Sequence, residues 1–113
     1  MTEDVIEIEA DDAQEAVAAG AMLLDVREPE EWIEGHAPGA VHVPMREVQE
    51  RLAELPKDRL VVAICRSGSR SRAVAALLAA EGYDVVNTIG GMQAWQAYGF
   101  DVVTDAGADG VVA

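Results

Sequence analysis

Cysteine occurs once in this sequence and lysine once, aromatic residues make up 4% of it, and no apolar run approaches the roughly 18 residues of a membrane-spanning helix. Each scarcity removes a class of explanation. A lone cysteine closes no internal disulfide, and no cysteine or histidine pair has the spacing of a zinc site, so neither a covalent staple nor a metal clip is available. No metal and no cofactor are expected. The near absence of lysine leaves eight basic residues against 21 acidic ones, a formal net charge of -13. Such a surface repels nucleic acid and anionic membranes, both polyanions, and neither is expected as a partner. The first residues, MTEDVIEIEADDAQEA, are acidic where a signal peptide carries positive charge ahead of an apolar stretch, so a soluble, cytoplasmic protein is expected. The same imbalance resembles the composition of proteins from salt-loving organisms, whose self-repulsion is screened by concentrated salt.

What is present is enough for one core. Half of the 113 residues are hydrophobic, too few residues for two ordinary domains but sufficient for one. The expected domain spans 1–103, followed by a short tail, 104–113, with too little bulk to pack firmly. Apolar β-branched runs alternate with helical patterns, which argues for an α/β sheet with largely buried strands. VIEI (5–8) reads as an edge-like strand. A helix follows with Asp11 as its N-cap, Gln14 in the capping-box position and Gly20 as its stop. AMLLDV (21–26) is the next strand. EPEEWIEG then gives a short helix ending at Gly35, and AVHVP (40–44) a brief strand. Met45, Val48, Leu52 and Leu55 fall on one face of a helix closed by Pro56. RLVVAIC (59–65) is the most apolar strand and the expected centre of the sheet. A helix over 70–81 presents Ala73, Val74, Leu77 and Leu78, DVVNTI (84–89) is the last strand, and residues 90–99 close with a helix carrying Met92 and Trp95 inward.

The single cysteine sits in CRSGSRSR (65–72), beside three of the eight basic residues. Strand, short loop and helix place Cys65 just past the carboxyl end of a buried strand, where open α/β sheets bind ligands. A loop with Gly68 at its middle can turn successive N–H groups toward one point, which attracts anions. The helix start together with Arg66 and Arg70 favours thiolate over thiol, pulling Cys65 below the free value of about 8.5. The plainer reading makes Cys65 a small hydrophobe ending a core strand, but such a thiol needs neither the glycine nor the arginines. Arg72, two residues further into the helix, is assigned to the solvated face.

Three motifs in order resemble the single-domain rhodanese family of sulfurtransferases, over residues 5–103. LLDVREPEEWIEGHAPGAVHVP is similar to the upstream signature of that family, CRSGSRS to its active-site loop, and GGMQAW to its downstream element. The resemblance implies a twisted, five-stranded parallel sheet with helices on both faces. It implies that Cys65 takes the outer sulfur of a donor such as thiosulfate as a persulfide and yields it to cyanide or a thiol. The amides of Arg66, Ser67, Gly68, Ser69, Arg70 and Ser71 would cradle that persulfide, and Arg66 would orient the donor. Arg70 is expected to turn inward onto Asp25, while Asp25 and Arg27 are also read as a structural ion pair that shapes the site. His36 organises a turn, His42 is an ordinary strand residue, Trp32 and Trp95 anchor the core, and Gly90 and Gly91 serve backbone packing. Asp101 stands where the family often has proline.

Two other activities are weighed against this one. A cysteine-dependent phosphatase of related fold separates Cys and Arg by five residues, whereas four separate Cys65 from Arg70 and six separate it from Arg72. A non-enzymatic persulfide carrier or protein-binding module is the other alternative. With no second cysteine to resolve a persulfide, the acceptor must be external, a small molecule or a protein thiol.

Overall fold

Alternation of burial along the apolar runs builds the molecule. The computed structural model describes residues 5–113, so the first four residues of the expected domain span lie outside the described residues. The strands are β1 (Glu7–Ile8), β2 (Met22–Asp25), β3 (Val41–His42), β4 (Val61–Ile64) and β5 (Val85–Thr88), and the helices are α1 (Ala10–Ala18), α2 (Pro29–Glu34), α3 (Ser69–Ala80) and α4 (Gly91–Ala97). All strand pairs are parallel, in the order β1-β5-β4-β2-β3. β4 lies at the centre with every residue buried. Its side chains alternate between two cores, as a period of two requires. Val61, Ala63 and then Cys65 join Leu24, Val48, Leu55 and the α3 residues Val74, Ala75 and Leu78. Val62 and Ile64 join Leu23, Ala13 of α1, and Met92 and Trp95 of α4. Both faces are thus covered by helices, the architecture expected from the alternation of runs.

Local expectations differ from the structure at four places. α1 begins at Ala10 with Glu9 as its N-cap and no side-chain cap, so Asp11 lies inside the first turn, where its charge still suits the helix dipole. The start is set by burial of Ala10 and Ala13 against the sheet. Residues 45–55 are not one α-helix but two 3₁₀ stretches, Met45–Glu47 and Gln49–Glu54, with Arg51 out of helical geometry. Only Val48 and Leu55 of the supposed face are buried, and Met45 is exposed. Trp32 is half-buried rather than a core anchor: its ring stacks on His36 at 3.6 Å between centroids and on His42 at 4.8 Å. The tail expected to pack loosely folds back instead. Val103 bridges His36 and Asp109, and Val111 N–H donates to the Glu34 carbonyl. Gly35 and Gly110 permit this crossing, since a Cβ on Gly35 would fall 2.6 Å from Val111 backbone and one on Gly110 2.7 Å from Gly35 Cα.

Candidate active site

Cys65 follows β4 with no exposed surface, and its side chain shares the core of Val74 and Ala75. Burial of that kind also describes an inert thiol. What sets this one apart is the donors aimed at the sulfur. The Gly68 N–H donates to Sγ at 3.1 Å and the Ser71 hydroxyl approaches it at 3.3 Å. Burial pushes the thiol up, but the Ser71 hydroxyl and the amides of Ser71, Gly68 and Ser67 outweigh it and hold Cys65 below its ordinary value.

The loop turns on its own glycine and is braced from two sides. Gly68 adopts φ +108°, a conformation that costs a glycine little and other residues more. Its carbonyl accepts from Asn87 Nδ2 at 3.0 Å, and Asn87, fully buried on β5, also donates to Glu7 Oε2 at 2.9 Å. The first turn of α4 supplies the second brace: Met92 N–H donates to the Cys65 carbonyl at 2.7 Å and Gln93 N–H to that of Arg66 at 3.0 Å. So close an approach requires Gly91, where a Cβ would stand 2.3 Å from the Cys65 oxygen.

The charged residues are arranged differently from expectation. Arg70 does not pair with Asp25. It forms a two-pronged bond with Glu31, Nη1 to Oε1 at 2.7 Å and Nη2 to Oε2 at 2.9 Å. Asp25 is taken by Arg27, two residues along the same strand end, whose Nε and Nη2 reach its carboxylate at 2.7–3.0 Å. Both are fully buried, and Arg27 Nη2 also holds the Gly35 carbonyl, so this pair ties the end of β2 to the end of α2. Glu31 Oε1 accepts the Glu28 N–H as well, closing a capping box on α2. Bonding to Arg70 outweighs burial and, with the Glu28 amide, holds the Glu31 carboxyl at about 2. Arg70 is kept firmly charged by Glu31, and the negative charge of Cys65 contributes in the same sense.

Arg66 is exposed, with Nε on the backbone oxygen of Ala113 at 2.7 Å, and Ser67 and Ser69 are exposed beside it. Arg72 is half-exposed and reaches Glu7, away from the sulfur. His36 serves the turn through its backbone bridge to Val103, and His42, read as an ordinary strand residue, bonds the Arg27 carbonyl through Nε2 at 2.7 Å. Sequence reasoning missed Asn87, Glu7 and Glu31. For Glu31 a signal existed in the EPEE run, whose last acid stands three residues after the helix cap. A cavity of about 400 Å³ lined by Gln14, Val17, Trp95 and Phe100 shares no residue with the loop.

Three comparisons agree on kinship. Residues 9–98 match the family model described as Rhodanese-like domain. A sulfurtransferase of Allochromatium vinosum is 42% identical over 87 residues, 76% of this chain and 81% of that protein. A putative sulfurtransferase of Bacillus subtilis is 49% identical over 74 residues, 66% of this chain and 72% of that protein. Among solved structures, a rhodanese-related protein of Thermoplasma volcanium superposes with a TM-score of 0.84 at 35% identity, covering 88% of this chain and 99% of that one.

Proposed function

The chain belongs to the rhodanese-like domain family, and from that premise we propose that it is a sulfurtransferase that carries sulfane sulfur through a persulfide on Cys65. The observation that supports this reading best is the pair of donors, Gly68 N–H and Ser71 O–H, aimed at a sulfur held below its ordinary value.

The Cys65 thiolate attacks the outer sulfur of a donor such as thiosulfate. A bond forms between the two sulfurs, the old sulfur–sulfur bond breaks, and its electron pair leaves on sulfite. The product is a Cys65 persulfide anion, whose charge the loop amides of Arg66 to Ser71 stabilise. Cyanide or a thiolate, free or on a protein, then attacks the terminal sulfur and the Cys65 thiolate departs, restoring the starting charge. Since Cys65 has no exposed surface at rest, the donor reaches it once the exposed side chains of the loop, Arg66, Ser67 and Ser69, give way. Arg66 meets the donor at that entry. The Asp25–Arg27 pair shapes the site without touching substrate.

Mass measurement after exposure to thiosulfate tests the reading. The wild-type chain is expected to gain one sulfur atom and Cys65→Ser none, with repeated turnover on adding cyanide. Loading without turnover identifies a carrier. Release of phosphate from an aryl phosphate without any sulfur gain overturns the assignment.

A further inference from the structure

Three arginines of the loop and the elements beside it are already matched by carboxylates. Arg27 is paired with Asp25, Arg46 with Glu28, and Arg70 with Glu31. Of the three arginines in the stretch 65–72, Arg66 alone has no carboxylate side-chain partner among the described residues, Arg70 being paired with Glu31 and Arg72 with Glu7; its Nε holds a backbone oxygen. Glu31 is not a loose counterion. Three hydrogen bonds fix it, two from Arg70 and one from the Glu28 amide, at the first turn of α2, where the helix dipole favours an anion. It therefore does not swing aside cheaply when an anionic donor arrives.

Past Arg66, a donor approaching the thiolate thus meets at Arg70 a guanidinium neutralised in advance. Thiosulfate brings two negative charges to this place, in a chain whose formal net charge is already -13. Repulsion from a fixed carboxylate grows in proportion to the charge of the donor. We infer that Glu31 is a specificity-determining residue: its carboxylate, fixed on Arg70, selects sulfane donors of low negative charge, such as organic persulfides and thiosulfonates, over thiosulfate. This inference rests on the sulfur-transfer reading above.

Two donors that share the reacting atoms but differ by one charge test it. Thiosulfate transfers its outer sulfur and leaves as sulfite; methanethiosulfonate transfers the same atom and leaves as methanesulfinate. Glu31→Gln keeps a carbonyl oxygen for the Glu28 amide and removes the charge. It is expected to raise kcat/KM for persulfide formation about tenfold with thiosulfate and about threefold with methanethiosulfonate, because the logarithm of the effect follows donor charge. Arg70→Gln, which leaves Glu31 uncompensated, is expected to shift the ratio between the donors in the opposite direction. Equal changes with both donors in both variants overturn the inference while leaving sulfur transfer intact. A wild-type chain that forms no persulfide with either donor overturns the sulfur-transfer reading, and this inference with it.

Discussion

Ser71 places one hydroxyl proton between two acceptors at the same distance, Cys65 Sγ at 3.3 Å and the Gly68 carbonyl at 3.3 Å. One proton serves one acceptor at a time, so the hydroxyl turns to the sulfur when it is ionised and to the carbonyl when it is protonated. The residue therefore stabilises the thiolate without leaving a donor stranded beside the thiol.

Ser71→Ala is accordingly expected to make the thiolate harder to form. A hydrogen bond to a charged group contributes ~1.5 kcal/mol or more, so alkylation of Cys65 by iodoacetamide near neutral pH should slow about tenfold. In the wild type, the rate should already be high below the ordinary thiol range and fall only as pH drops through the lowered value. A wild-type profile with an ordinary thiol midpoint, unchanged in Ser71→Ala, contradicts this account of the site.

Asn87→Asp conserves shape but turns the group that donates to the Gly68 carbonyl and Glu7 into a buried acceptor facing both oxygens. A loss of about 3 kcal/mol in urea unfolding is expected, with Asn87→Ala costing less because it removes the donor without adding a charge. The reverse ranking would show that Asn87 packs rather than bonds.

Much of this was legible from the sequence, for physical reasons that also explain the misses. Strand and helix order follow from runs such as RLVVAIC and from the glycines that end helices, since these signals are local. The 45–55 segment reads as one α-helix because i, i+3 and i, i+4 spacing suits a 3₁₀ path nearly as well, and what separates the two here is the backbone at Arg51. The cysteine, its glycine and the flanking serines were recognisable as a loop. The partner of Arg70 was not, because Asp25 and Glu31 are both acidic neighbours of the same strand end. Only the tertiary arrangement shows that Arg27 claims the first and leaves the second. Asn87 gave no signal, being one polar residue in an otherwise apolar strand.

Gly91→Ala tests the last helix. The added methyl would stand 2.3 Å from the Cys65 oxygen and 2.7 Å from the Arg66 carbonyl, at a residue whose φ is +54°. Backbone cannot yield as a flexible side chain does, so a loss of about 3 kcal/mol or more and a Tm drop of ten degrees or so are expected. A variant as stable as the wild type would contradict the close approach.

Glu31 gives the fold an acid sensitivity of known sign. Its folded value of about 2 lies below the ordinary 4.5, so its contribution to stability is complete above that ordinary value and fades as pH falls toward 2. Urea unfolding across this window should show wild type and Glu31→Gln converging as pH drops. A difference that stays constant would place the effect of Glu31 outside its charge.

The anchoring of the loop at Cys65 and Arg66 by α4, and at Gly68 by β5, leaves little freedom for change of size. An inserted residue, the change that would make room for a bulkier oxyanion, could not enter among these anchored positions without tearing the cysteine from its neighbours. It would have to be absorbed by unwinding the start of α3 at Ser69 and Arg70, and the same slack would draw Arg70 off Glu31. Loop length and the charge the pocket tolerates are therefore bound to alter together.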